Sequence, residues 1–345
     1  MKKIVISLFF IILLGIGLFS SNGIANHKQI IFVDDDNIDG PWDGSEENPF
    51  RFIQDAIDAA NDGDTVSVLS GMYAENVNIG KPIILQGEAK KYTIIDAGGK
   101  NDGVYIGSDT DGVTISGFTI QNSGNYSDGY SNDAGIDVHS NEVEISDNII
   151  INHPRCAIQL IYSDNNIIKN NEIFESGNRG FLIGSIILYF SNENNISRNF
   201  ITQNKGVGIS VRISKDNIIT QNTISDNFVG LSFWDAGGKS TNNLIFQNII
   251  MNNRDGVNIR LAGNTFLQNN FINNTNSNAL TLPIAPARSP PYLIRNSWQE
   301  NYWDDWVGHE SPLYSMFPKY ILFGFDFDWY PAEKPYDIPG GDFHQ

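Results

Sequence analysis

Residues 217–234 read NIITQNTISDNFVGLSFW, and the pattern in them returns along most of the chain. Related segments begin VTISGFTIQNS at 113, VEISDNIIINH at 143, IIKNNEIFES at 167, NISRNFITQN at 195, NLIFQNIIMNN at 243 and NTFLQNNFINN at 264. When they are aligned, Asn recurs at one register: Asn148, Asn171, Asn199, Asn222, Asn248 and Asn269. A second polar position follows at Asn152, Ser176, Asn204, Asn227, Asn253 and Asn274. A small residue and an alternating strand come next, as in Gly135-Ile136-Asp137-Val138, Ala157-Ile158-Gln159-Leu160, Gly208-Ile209-Ser210-Val211, Gly230-Leu231-Ser232-Phe233, Gly256-Val257-Asn258-Ile259 and Ala279-Leu280-Thr281-Leu282.

Units of roughly 21–30 residues with two or three short strands and no helical period describe the coil of a β-solenoid. Each strand then pairs with its equivalent one coil on, ~4.8 Å away. Ile and Val point inward and stack, while Asn suits the corners, where it tolerates left-handed backbone angles and bonds locally or to the next rung. Parallel crossovers prefer one hand. A leucine-rich repeat would need Leu-dominated spacing, and this chain uses Ile with Asn. The expected fold is all-β, a right-handed parallel β-helix.

The ends depart from the repeat. In FRFIQDAIDAA (50–60), Phe50, Ile53, Ile57 and Ala60 share one face of a short helix, which Asn61-Asp62-Gly63-Asp64 stops. Its expected place is over the open apolar end of the first coil. Aromatics crowd Trp298–Tyr330, including Tyr302, Trp303, Trp306, Phe317, Tyr320, Phe323, Phe325, Phe327 and Trp329. The expected division is a signal peptide over 1–25, the β-helix domain over 26–297 and an aromatic C-terminal cap and tail over 298–345.

The first segment reads as an address. Lys2 and Lys3 precede an apolar run from Ile4 to Phe19, and Gly23-Ile24-Ala25 offers a cleavage site. The rival reading is an uncleaved anchor, because the run falls just short of the ~20 residues that span a bilayer. With cleavage, the chain is secreted or held at the cell surface without membrane insertion. Among 345 residues there are 22 Lys and Arg against 40 Asp and Glu, a net charge of −18, which argues against nucleic acid as a partner. Cys156 is the one cysteine, so no internal disulfide exists. About 40 asparagines, far above ordinary usage, alternate with Ile, Val and Phe, which excludes disorder.

The segments DGSEENPFRFIQDAIDAANDGDTVSVLSGMYAENV (43–77) and KPIILQGEAKKYTIIDAGG (81–99) resemble the start of pectin-lyase-like β-helix proteins. The Asn-Ile coils are similar to the NosD-type branch, known for carbohydrate-binding and sugar-hydrolase (PbH1) repeats. The closing NYWDDWVG (301–308) and FDFDWYPAEKPYDIP (325–339) look like secreted archaeal members of that branch. The resemblance implies a fold more than a chemistry. Pectate lyases of this fold use calcium-binding acids with an Arg or Lys base, and polygalacturonases use aspartates near Gly-His-Gly and Arg-Ile-Lys. This chain carries Gly308-His309-Glu310 and Arg212-Ile213-Ser214-Lys215 instead, and it lacks the Met, His or Cys cluster that copper handling would need.

Three constellations are candidates for chemistry. Asp35, Asn37, Asp39, Gly40 and Glu46 match the calcium-loop spacing D-x-[DN]-x-[DN]-G-x5-E, with Asp43 at the ninth position. Hard oxygens at alternate positions suit a calcium cofactor, with the Pro41 carbonyl as a further ligand; the alternative is a solvated acidic turn. In each Gly-h-x-h-x strand the two x positions point outward. The first reads Asp137, Gln159, Leu182, Ser210, Ser232, Asn258, Thr281, and the second His139, Ile161, Gly184, Arg212, Trp234, Arg260, Pro283. Arg212, Trp234 and Arg260 then stand on neighbouring rungs, a planar ring between guanidiniums that suits an acidic sugar; ion-paired surface arginines are the plainer alternative. Asp137 and His139 are the candidate catalytic acid and base. The terminal aromatics are read as cap packing. Sequons at Asn125, Asn195 and Asn273 permit glycosylation.

Two function classes follow. One is a protein that binds polysaccharide or a surface glycan, or serves in the envelope, without turnover. The other is a polysaccharide lyase or glycoside hydrolase acting on acidic polysaccharide. The absent catalytic signatures favour the first.

Overall fold

The computed structural model describes residues 28–127, 132–177, 184–234, 240–260, 263–281, 295–309, 317–321 and 326–339. The expected signal segment lies outside them. Three parallel sheets of thirteen, nine and ten strands wind together, each strand pairing with its equivalent one coil away and a single antiparallel pair closing the first sheet. The fold expected from the Asn-Ile repeat is therefore the observed one.

The interior is a set of register columns. In the thirteen-stranded sheet Ile115, Ile145, Ile168, Ile196, Ile219 and Ile245 pair in sequence and lead to Phe266 and Trp298. In the ten-stranded sheet Ile120, Ile150, Ile173, Ile201, Ile224 and Ile250 lead to Phe271 and Trp303. All are buried. Toward the C-terminal end rings replace isoleucines and stack, Phe266 on Trp298 at 4.0 Å and Phe271 on Trp303 at 4.2 Å. The coil continues through Ser297–Gln299 and Tyr302–Trp303, past the expected boundary at 297. The expectation that the terminal aromatics pack as a cap holds for Trp298, Trp303 and Trp306, which are buried, but Phe317, Tyr320, Trp329 and Tyr330 are exposed; Phe323 and Phe325 lie outside the described residues.

The predicted Asn register is a continuous buried ladder. Each Nδ2 donates to the Oδ1 of the next rung, from Asn148 through Asn171, Asn199, Asn222, Asn248 and Asn269 to Asn301, at 2.9–3.2 Å. The same Oδ1 also accepts the backbone N–H of the preceding rung's Asn. An amide both donates and accepts, so it propagates the chain of bonds; the last rung needs only an acceptor, and Asp328 supplies it, taking Asn301 Nδ2 and Trp303 Nε1 on Oδ2. Left-handed angles were expected at these asparagines. They fall one residue earlier, at Asp147, Asn170, Arg198, Gln221, Gln247 and Gln268, with φ of 52–56°.

A second ladder went unforeseen: Asn166, Asn194, Asn217, Asn243 and Asn264, ending through Asn296 on Asp326. The second polar register also needs one correction. Asn152 is exposed, left-handed and bonded to Asn122; its neighbour His153 is buried and takes the ladder place, its backbone N–H donating to Ser176 Oγ. Burial and desolvation push the His153 ring down to about 4, so it is neutral in the core.

The cap helix α1 spans Ile53–Ala59 and buries Ile53, Ala56 and Ile57 against the first coils. Its first two N–H groups, Ile53 and Gln54, are capped by the Glu75 carboxylate, from the loop between two strands of the first coil, at 2.9 and 3.0 Å. Asp64 closes the stop by accepting from Gln29 N and Asn61 N, both at 2.8 Å. No helix among the described residues is long and apolar enough to cross a membrane.

Candidate functional site on the nine-stranded sheet

The nine-stranded sheet carries the outward residues singled out by alternation. Val and Ile at positions such as Val138, Leu160, Val211 and Ile259 face the core, so their neighbours Asp137, Gln159, Ser210 and Asn258 face away from it. Observed register runs Tyr105, Asp137, Gln159, Ile187, Ser210, Ser232, Asn258, Leu280. Ile187 holds the place expected of Leu182, which lies outside the described residues, and Leu280 holds the place expected of Thr281. The second outward column has Tyr189 where Gly184 was expected, between Ile161 and Arg212; Pro283 lies outside the described residues. Both slips have the same cause: segments between the corner and the strand differ in length from coil to coil, and counting from the corner misplaces the strand.

At one end of this face sits a carboxylate–imidazole pair. His139 Nε2 and Asp137 Oδ2 are 3.1 Å apart, with the carboxylate buried and the ring partly exposed. Gln159 Nε2 donates to the other oxygen, Asp137 Oδ1, at 3.1 Å, and Asn132 Nδ2 holds the Gln159 oxygen at 2.7 Å. This chain fixes the Asp137 carboxylate, which in turn orients the ring. The hydrogen bond with Asp137 raises the His139 pKa above its ordinary value, against the opposing pull of burial. Tyr105 lies against the ring at a centroid distance of 5.3 Å. Asp102, which accepts the Ala134 N–H at 2.7 Å, is pushed up to about 7 by burial and by the negative charge of Asp137. Below the histidine the column is bare backbone, Gly107 one rung back with only Thr110 and Tyr105 side-chain atoms and the Ile79 carbonyl near its missing Cβ. Cys156 is buried beside Gln159, and burial pushes its thiol well above the ordinary range.

Farther along stand Arg212, Trp234 and Arg260. Arg212 and Trp234 are direct register partners, and Arg260 N donates to Phe233 O, which sets it on the next rung. The arginines are stacked: Arg260 lies over the Trp234 ring at 3.4 Å and Arg212 over Tyr189 at 5.2 Å. The column thus alternates ring and guanidinium, and one Trp234 face is covered by Arg260. Beside it, Asn258 is buried and neither its Nδ2 nor its Oδ1 meets a hydrogen-bond partner among the described residues; the same holds for Ser210 Oγ.

Three of the five residues of the calcium-spaced loop have other partners. Asp35 turns to the sheet and accepts Met72 N at 3.0 Å, filling the space where a side chain on Gly71 would go. Asp43 closes its own turn through Ser45 N and Asn48 Nδ2. Asn37 presents N–H groups to the Pro41 and Pro49 carbonyls, which uses the Pro41 oxygen expected as a ligand. Among the described residues no group of three or more His, Cys, Asp or Glu side chains is placed to hold a metal ion.

The family profile described as right handed beta helix region matches residues 86–245 and 134–282. The chain belongs to the right-handed β-helix family. Among solved structures it is similar to XylC in complex with xylose, with a TM-score of 0.54, 13% identity, and 70% of this chain and 65% of that one covered. It is similar also to the A-module of the Azotobacter vinelandii mannuronan C-5 epimerase AlgE4, with a TM-score of 0.53, 16% identity, and 79% and 77% covered. A third is the pectate lyase Pel9A, with a TM-score of 0.50, 14% identity, and 70% of each chain covered. At these identities the likeness is one of fold. No curated protein sequence matches the chain.

Asp102, Tyr105, Gln159 and Asn132 were missed as site residues by sequence reasoning. Asp102 and Tyr105 belong to coils before 113, where the Asn-Ile signature is absent. The signal available for Tyr105 was its alternation in Val104-Tyr105-Ile106, two buried residues flanking one that faces out.

Proposed function

We propose that the chain binds a polysaccharide along the outer face of the nine-stranded sheet. The observation that carries this reading is Asn258, an amide buried on that face with no partner among the described residues, beside Arg212, Trp234 and Arg260. A buried amide without partners costs stability, which marks this stretch of the face as kept for something other than packing. Arg260, whose guanidinium lies over the Trp234 ring, can offer its edge to a carboxylate, which favours a uronate-bearing chain. The β-helix fold is shared with polysaccharide-acting proteins, and the Asn-Ile coils support a place in the NosD-type branch. Lys2, Lys3 and the apolar run to Phe19 support export, where such polysaccharides are met. Titrating the full chain with a galacturonate hexamer tests it. Binding should weaken with added salt and fall in Arg212→Gln and Asn258→Leu. Equal affinity in both variants would sink the reading.

A second reading, turnover, is favoured by the Asp137–His139 pair. With Nε2–H given to Asp137, Nδ1 is the ring's basic nitrogen, and Asp102 near 7 is a proton donor at neutral pH. The pair removes a proton from a sugar carbon or returns one to a leaving oxygen, as a lyase or hydrolase requires. Uronate-rich polysaccharides incubated with the protein would be assayed for unsaturated product and for new reducing ends. His139→Ala losing the product while retaining binding supports turnover. Absence of both products across the panel leaves binding alone.

A further inference from the structure

On three consecutive coils the chain leaves the nine-stranded sheet with one residue more than on the coil before them. Val138, Leu160, Leu188 and Val211 are in register, and so are the buried serines that follow, Ser140, Ser163, Ser191 and Ser214. One residue separates Val138 from Ser140, but two separate the others from their serines. The additional residues are Tyr162, Phe190 and Ile213, with φ of 51°, 52° and 52°. Most other left-handed corners of this solenoid use Asn, Asp, Gln, Glu or Arg. A branched or aromatic residue there is strained, and Ile213 most of all.

Packing accounts for only part of the ridge: Phe190 and Ile213 lie against the cluster of Ile161, Ile187 and Tyr189, but Tyr162 stands outside it. Tyr162 stacks flat on Phe190 at 4.8 Å and 10°, yet is 65% exposed. Past the serines runs a polar column, one residue per rung: Asp164, Asn192, Lys215. Asn192 donates its N–H and Nδ2 to Asp164 Oδ1 at 2.6 and 3.1 Å, and Lys215 N–H donates to Asn192 Oδ1 at 3.1 Å. Between ridge and column lies a groove of about 540 Å³.

We propose that this groove is a second glycan subsite, taking neutral pyranose units of a chain that runs along the solenoid axis. The proposal rests on the polysaccharide reading above and adds a site and a sugar class to it. An exposed flat aromatic suits the apolar face of a pyranose, and a carboxylate beside an amide suits its neighbouring hydroxyls. Arg212 immediately precedes Ile213, so the groove borders the sheet face and one chain can reach both. The strained backbone sets Tyr162, Phe190 and Ile213 on three rungs in a row along the groove, where a sugar of several units would meet them.

The test is calorimetric titration of the full chain with cellohexaose, xylohexaose, mannohexaose and a galacturonate hexamer, comparing Tyr162→Gly and Tyr162→Phe. At least one neutral hexamer should bind with little dependence on salt. Tyr162→Gly should weaken it about tenfold, the usual weight of a stacking contact, while Tyr162→Phe stays close to wild type. Glycine is at ease at this φ, so Tyr162→Gly should unfold at the same temperature as wild type or higher. Neutral binding untouched by Tyr162→Gly, or binding of the acidic hexamer alone, overturns the groove and leaves the polysaccharide reading standing. Binding of none of the four overturns both.

Discussion

Replacing Asn222 by Leu tests the ladder that holds the solenoid together. Asn222 Oδ1 accepts Asn199 N at 2.9 Å and Asn199 Nδ2 at 3.0 Å, while its Nδ2 donates to Ile196 O at 2.8 Å and Asn248 Oδ1 at 3.0 Å. Leucine would strand two buried donors on Asn199 and leave two carbonyls short of one bond each. Stranded donors cost ~1–3 kcal/mol apiece and the carbonyls less, so the sum is about 4 kcal/mol after a small gain from the added apolar surface. The control is Asn152→Gly, which removes one exposed bond to Asn122 and keeps the left-handed angle; it should cost under ~0.5 kcal/mol. Urea unfolding followed by far-ultraviolet circular dichroism gives the difference. Hydrogen exchange locates it, because damage in a solenoid stays near the affected rung. Protection should fall first on the rungs of Asn199 and Asn248. A loss below ~1 kcal/mol for Asn222→Leu, or an equal loss for Asn152→Gly, would refute the assignment of Asn222 to a buried ladder and Asn152 to its rim.

Three other outcomes follow from the site. Asn258→Leu should leave stability unchanged or raise it by ~1 kcal/mol in thermal unfolding, because it removes an unpartnered buried amide, while galacturonate binding falls. Asp102, raised from 3.8 to about 7, keeps its proton in the folded state while the unfolded chain has released it, so stability declines as pH rises from about 4 to 7; Asp102→Asn should flatten that decline in unfolding measured across the range. His139, whose pKa is raised, contributes stability through its pair with Asp137 that is complete below the ordinary value of 6.5 and lost as pH climbs through the folded value. A proton titration of the ring by NMR should therefore give a midpoint above 6.5 in wild type, and one that drops in Asp137→Asn.

The fold was legible because a solenoid repeats one local solution. Every coil must turn at the same corners and bury the same faces, so Asn at one register and Ile at two others are enough to define it. Register within a coil is another matter. Asn152 and His153 are adjacent, both polar, and only burial separates rim from ladder; at Ala279 the strand sits one residue out of the expected step, with Leu280 and not Thr281 facing outward. The left-handed angle at Arg198 or Gln221 had no signature of its own, since the ladder fixes the backbone and the side chain follows. Asp35 could be read only as part of a metal spacing, since its bond to Met72 joins residues 37 apart and leaves no local signature.

The site was legible only in part, and the part missed follows from what a parallel sheet does. Alternation says which residues face outward, and on that basis Asp137, His139, Arg212, Trp234 and Arg260 were placed on one surface. Stacking the coils puts neighbours such as Asp137 and Gln159 on adjacent rungs, but does not say which of their atoms meet. Gln159 comes to hold Asp137, and Arg260 comes to cover Trp234, because stacked coils bring equivalent positions to within one strand spacing whatever their distance in sequence. The same stacking gives the face its rigidity. Interior columns and Asn ladders hold each strand on both sides, so an outward side chain is displayed from a backbone with little freedom to adjust. Such a scaffold suits recognition of a polymer, whose repeating units can meet repeating rungs. It also explains why polar groups such as Asn258 can be kept without a partner on this face, at a cost to stability that the ladders are strong enough to carry.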